Sequence, residues 1–131
     1  MRFQHVGVVG AGVIGSGVAQ LFAQTGHLVT LVDSNPVQLD VARRNMTRNL
    51  RLFGFLQKDQ PAGSDVLARL RMGIDLGAIA TVDFVIENVT EDWEIKQQVH
   101  REIDALVPPA VPVAVNTSAI PITRVADCSA P

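Results

Sequence analysis

One segment constrains this chain more than any other. Gly10-Ala11-Gly12-Val13-Ile14-Gly15 follows directly on the apolar run Val6-Gly7-Val8-Val9, and a second apolar run, Leu28-Val29-Thr30-Leu31-Val32, ends in Asp33. Three glycines at this spacing are weak evidence alone. Here a strand pattern, a glycine turn, a helix pattern and an acid closing the next strand occur in that order, a combination specific for dinucleotide binding. Gly10 permits a tight turn out of the strand, Gly12 leaves bare backbone where a pyrophosphate approaches, and Gly15 lets the new helix sit close to the sheet. The helix from Val13 and Ile14 onward offers free N–H groups and the positive end of its dipole to phosphate. A glycine turn without a ligand is the plainer alternative, and it leaves the flanking pattern unexplained.

Asp33 selects the cofactor. A carboxylate at the end of the second strand accepts hydrogen bonds from the adenosine ribose hydroxyls and repels a 2′-phosphate. Ser34 and Asn35 follow it, with no arginine beside the acid. NAD is therefore expected over NADP. Asp33 is also placed to cap a turn or helix, and the two roles are compatible.

The chain has 131 residues, 47% of them hydrophobic and 18% charged. That composition suits one folded domain with a real core. A net charge of −2 gives no reason to expect a nucleic-acid or membrane-surface partner, and no metal is expected. Cys128 is the sole cysteine, so no internal disulfide forms, which fits a reducing compartment such as the cytoplasm. The apolar stretch from Val6 to Ala19 contains five glycines. It is too short to span a bilayer, and no cleavage-like segment follows it, so no targeting signal is read.

The pattern predicts strands at Val6–Val9, Leu28–Val32, Arg71–Ile74, Asp83–Glu87 and Val111–Val115. It predicts a helix over Ile14–Gln24, capped by Gly26. A second helix opens at Pro36, with a stripe of Val37, Val41, Ala42, Met46, Leu50 and Phe53 stopped by Gly54. Lys58–Asp65 reads as a loop. Thr90 is expected to cap a helix that buries Ile95, Val99, Ile103 and Leu106 and ends at Pro108-Pro109. A short helix follows Pro121. Strands alternating with helices imply an α/β fold, a Rossmann-type doubly wound, mainly parallel sheet with helices on both faces. Ligands bind beyond the carboxyl ends of such strands. Gly10–Gly15, Asp33, Glu87–Glu91 and Asn116–Ser118 all occupy these exits, so one crevice is expected to gather all four.

The segments Val6–Gly15, Gly26-His27 with the strand to Asp33, Asp83-Phe84-Val85-Ile86-Glu87 and Asn116-Thr117-Ser118 together resemble the NAD-binding domain of 3-hydroxyacyl-CoA dehydrogenases. The resemblance covers essentially the whole chain, residues 1–131. It implies reversible oxidation of the 3-hydroxyl of an acyl thioester, with hydride passing between C3 and the nicotinamide. It also implies that Glu91 and Lys96 contact NAD and that Ser118 lies near the nicotinamide and orients the substrate hydroxyl. A serine hydroxyl alone is a poor base. Read without the resemblance, Glu91 is a helix N-terminus acid, Lys96 a solvated lysine and Ser118 a loop serine.

Two departures qualify the resemblance. The family's His–Glu pair, its His-containing segment and its C-terminal helical domain, which completes the cleft and the homodimer, are not in this sequence. His5, His27 and His100 stand at poor positions to replace the histidine. The expectation is a cofactor half, inactive by itself. The serine and lysine that hold coenzyme A in the family correspond to Asn49 and Leu56, with Lys58 nearby. That leaves an acyl group on CoA or on a carrier protein as the expected partner. A dehydrogenase of free 3-hydroxy acids and a non-catalytic NAD sensor remain as rivals.

Overall fold

The computed structural model describes residues 2–129. Met1 and the terminal Ala130-Pro131, which the expected domain includes, lie outside the described residues. Five strands, β1 (His5–Val9), β2 (Leu28–Val32), β3 (Leu70–Gly73), β4 (Phe84–Glu87) and β5 (Val113–Val115), form one sheet. Its order is β3-β2-β1-β4-β5, and every pairing is parallel. The helices are α1 (Val13–Gln24), α2 (Pro36–Leu56), α3 (Gly63–Ala68), α4 (Trp93–Leu106) and α5 (Ile122–Ala126), with a 3-10 turn at Leu76–Ile79.

Strand alternation divides the core in two. Val6 and Val8 of β1, with Val29 and Leu31 of β2, pack against Ala19 and Ala23 of α1, Ala42 and Met46 of α2 and Val66 of α3. The other face carries Val9, Val32 and Val85 against Ile79, Val82, Ile103 and Val107. Glu87 lies two residues beyond Val85, so it points to the same face, toward α4. Strand order reverses between β1 and β4, and that switch point defines the crevice.

Five local expectations need correction. Helix α2 buries Leu39, Ala42, Met46 and Leu50. Val37, Val41 and Phe53 are exposed, and Gly54 lies within the helix, which continues to Leu56. Helix α3 starts at Gly63, so the loop is shorter than Lys58–Asp65. Helix α4 is capped by Asp92, whose carboxylate accepts from the Ile95 N–H at 3.1 Å, and not by Thr90. Its inward face is Lys96, His100 and Ile103. Ile95 is exposed at the surface, because the helix turns its Ile95–Val99 side toward an open cleft.

Candidate cofactor site

The turn after β1 depends on two glycines. Gly10 adopts φ +100°, and a Cβ there would stand 2.7 Å from the Asn88 carbonyl oxygen. A Cβ on Gly15 would collide with the Gly10 carbonyl, so Gly15 serves the turn itself as well as the approach of the helix. Gly12 differs: it is the N-cap of α1, in extended backbone with no side-chain cap, and a Cβ there meets nothing within 4 Å. The space in front of Gly12 is open, as a pyrophosphate requires. Val13 and Ile14, in the first turn of α1, are exposed beside it.

The loop is stitched to its neighbours. The Gly10 N–H donates to the Val32 carbonyl at 2.8 Å, and the Asn88 N–H donates to the Val9 carbonyl at 2.7 Å. Asp33 accepts from the Ala11 N–H at 2.9 Å through one carboxylate oxygen and from the Asn35 N–H at 2.8 Å through the other. The turn-capping role of Asp33 is thus real, and each carboxylate oxygen retains acceptor capacity for a ribose hydroxyl.

A cleft of about 700 Å³ opens over these strand ends, lined by Gly10, Gly12, Asp33, Asn88, Val89 and Thr90 among others. Ile74 and Leu76 supply apolar surface, and Asp75 a second carboxylate. Among the described residues the lining contains Asp33, Asp75 and Glu102 but no lysine or arginine. A 2′-phosphate would meet acids and no cation, which favours NAD. Asp75 carries no motif, and only its place beyond β3 brings it here.

On the far side of the switch point the site is built differently. Glu87, Lys96 and His100 are all buried. The Lys96 ammonium donates to both Glu87 carboxylate oxygens at 2.9 and 3.1 Å, to the Val89 carbonyl at 3.3 Å and to the Asn116 carbonyl at 3.2 Å. His100 Nε2 lies 2.7 Å from Glu87 Oε2, and the Val89 N–H donates to Glu87 Oε1 at 2.6 Å. Burial alone raises the Glu87 pKa, but the hydrogen bonds from His100, Lys96 and Val89 outweigh it and hold the carboxyl below the usual carboxylate range. Lys96 is therefore not the solvated lysine of the plainer alternative.

Above this network, Asn116 donates its side-chain amide to the Asn88 side-chain oxygen at 3.0 Å and its backbone N–H to the Glu87 carbonyl at 2.9 Å. Thr117 Oγ1 donates to Glu91 at 3.0 Å, and Glu91 stands 4.0 Å from the Lys96 ammonium. The four strand-exit segments are thus linked to one another. Ser118 lies in an exposed bend of the β5–α5 loop and is not among the residues that line the cleft. Asn49 lies midway along α2, its side-chain amide 3.5 Å from the Gln20 side-chain oxygen of α1. His5 contacts Thr30, and His27 contacts Thr25 and Phe22 at the α1–β2 turn, at the opposite end of the sheet.

Fold and site together define a dinucleotide-binding domain of the doubly wound type. The chain belongs to the 3-hydroxyacyl-CoA dehydrogenase family. The family pattern described as "3-hydroxyacyl-CoA dehydrogenase, NAD binding domain" matches residues 5–130. A probable 3-hydroxybutyryl-CoA dehydrogenase of Deinococcus radiodurans is 35% identical over 123 residues, which cover 94% of this chain and 44% of that protein. The crystal structure of Mycobacterium tuberculosis FadB2 superposes with a TM-score of 0.93 at 33% identity, covering 98% of this chain and 46% of that one. The 3-hydroxybutyryl-CoA dehydrogenase of Escherichia coli K12 superposes with a TM-score of 0.90 at 31% identity, covering 96% and 27%. The chain spans under half the length of these relatives.

Proposed function

We propose that this chain is the cofactor half of an NAD-dependent 3-hydroxyacyl thioester dehydrogenase. One observation carries the reading: Gly12, open in front, and Asp33, at the end of the adjacent strand, line the same acid-rich cleft. Gly12 and the first amides of α1, at Val13 and Ile14, hold the pyrophosphate. Asp33 takes the adenosine ribose, with Ala11 fixing its carboxylate from behind. Bound NAD supplies the acceptor for the hydride from substrate C3. Glu91, Lys96 and Ser118 belong to the nicotinamide side, where Ser118 orients the substrate hydroxyl by hydrogen bonding. Asn49 on α2 is assigned to the carrier end of the thioester, on CoA or on a carrier protein.

Oxidising a secondary alcohol also needs a base at the hydroxyl, which typically contributes about 10²–10⁴-fold. His5 and His27 lie at the wrong end of the sheet, and His100 is sealed in its bond to Glu87. We assign the acid–base pair, the rest of the cleft and a homodimer contact to the part of the family fold that this chain does not span. Fatty-acid metabolism follows from the thioester substrate. A cytoplasmic location rests on the single cysteine.

Calorimetry with NADH and NADPH tests the cofactor assignment, with NADH expected to bind more tightly. Turnover of acetoacetyl-CoA with NADH tests the division of labour. The 131-residue chain is expected to bind cofactor and turn over almost nothing. In a protein carrying the remaining family domain, Ser118→Ala is expected to lower kcat more than NAD affinity. Robust turnover by the short chain would place the base within it and overturn the assignment.

A further inference from the structure

Three ionisable side chains, Glu87, Lys96 and His100, are buried together beneath the cleft, and of these only Lys96 has been given a part in the site above. A buried ion pair is rarely the cheapest way to stabilise a core, since well-packed apolar side chains of similar volume often do as well or better. Ile103, one turn further along α4, shows that this helix face accepts an apolar residue. The polar side chains at Lys96 and His100 therefore call for an explanation other than packing.

The geometry gives one. The Lys96 ammonium has three protons and four acceptors within reach, and its two backbone acceptors come from different loops. The Val89 carbonyl belongs to the loop leaving β4, the Asn116 carbonyl to the loop leaving β5. Lys96 thus spans the two exits from below. Glu87 holds the ammonium with both oxygens, and His100 fixes the orientation of Glu87 through Oε2. A dinucleotide lies across the switch point. With its adenosine half on Asp33 at β2, its nicotinamide half falls on the β4 and β5 side, over these same loops.

We propose that Glu87 and His100 are positioning residues that act through Lys96 to set the spacing of the β4 and β5 exit loops, and so shape the nicotinamide half of the site without touching the cofactor. Val89 and Thr90 line the cleft, and Asn116 is bonded to Asn88, which lines it as well. A shift in the ammonium is therefore passed directly to the lining. The adenosine half, built on Gly10–Gly12 and Asp33, shares no hydrogen bond with Glu87, Lys96 or His100 among the described residues. The two halves of the ligand should respond separately.

The proposal rests on the NAD-binding reading, and two ligands separate the two ideas. ADP-ribose carries the adenosine and pyrophosphate groups without the nicotinamide. Affinities for ADP-ribose and NADH are measured by calorimetry on the wild-type chain, His100→Ala, His100→Gln and Lys96→Met. The expected result is ADP-ribose binding within about twofold of wild type throughout, with NADH binding about tenfold weaker in His100→Ala and Lys96→Met. His100→Gln, whose amide can still donate to Glu87, is expected to recover most of the NADH affinity. If Lys96→Met fails to fold, the paired His100 variants decide the matter. A parallel loss of both ligands, an unchanged NADH affinity, or no difference between His100→Ala and His100→Gln would overturn the proposal alone. Wild-type chain that binds neither ligand would overturn the cofactor reading, and the proposal with it.

Discussion

At the β1–β2 end of the crevice, the strand exits are joined by backbone amides and one half-buried carboxylate. Asp33 and the carbonyls of Val9 and Val32 accept from Ala11, Asn88 and Gly10. At the β4–β5 end, the join is made by the buried side chains of Glu87, Lys96 and His100, drawn from a strand and from the helix that follows it. The first arrangement leaves its surface free for a ligand, because the bonds lie behind the loop. The second closes its charges in completely. The difference separates the energetic consequences of damage: on the first side a substitution should be felt in binding with the fold intact, on the second in folding as well as in the nicotinamide half of binding.

Lys96→Ala puts the sharpest pressure on that contrast. It leaves Glu87 buried with its main countercharge gone, and removing one partner of a buried pair costs about 3–5 kcal/mol. Urea denaturation should show a midpoint far below wild type. A small shift would mean that the network contributes little, and the two sides would not differ as argued.

Gly12→Val should do the reverse. The backbone at Gly12 is extended and its Cβ position is open, so the fold should hold. The branched side chain would fill the space needed by the pyrophosphate, and NADH affinity should fall about a hundredfold or more, ~2.7 kcal/mol. Retained affinity would show that the phosphates lie elsewhere. Asp33→Ala is intermediate. It should weaken NAD binding by about 1–3 kcal/mol, the scale for hydrogen bonds to a charged group, and narrow the preference over NADP. Wild-type preference for NADP would contradict the role given to this acid.

The pH dependence of stability should report on the buried side. Glu87 releases its proton more readily folded than unfolded, since its pKa is lowered. Its stabilising contribution is thus complete above the usual carboxylate range and is lost as pH falls through the lower folded value. Chemical denaturation across acid pH should show this limb in wild type and a shallower one in Glu87→Gln. The smallest effect expected is at the start of α4. Asp92→Ala should cost about 1 kcal/mol as a lost cap, whereas Thr90→Ala should leave stability almost unchanged.

The two sides also differ in how openly the sequence displays them. The glycine loop, the strands and Asp33 are local features. Each is carried by a contiguous run whose chemistry has few alternative uses, and the parallel sheet follows from their order. Helix α4 is harder because its inward face carries a lysine and a histidine. An apolar stripe through Ile95, Val99 and Leu106 is the natural reading of that segment. Only the position of Glu87, facing α4 at the end of β4, makes Lys96 and His100 acceptable inside. Such a match between residues on two elements has no local signature. Asp75 is hidden for a similar reason, since it enters the cleft through the docking of β3 beside β2.

The double attachment of Asp33 has a consequence for any attempt to redesign cofactor preference. Accommodating a 2′-phosphate would mean exchanging this acid for a small or basic residue. Here the same carboxylate is the acceptor for the Ala11 amide, so the exchange removes a support of the phosphate loop together with the charge that repels a 2′-phosphate. A single substitution should therefore produce a poor binder of both cofactors sooner than a converted one. Conversion would require a second change supplying a new acceptor for Ala11, which makes NAD preference in this domain a trait with a built-in resistance to drift.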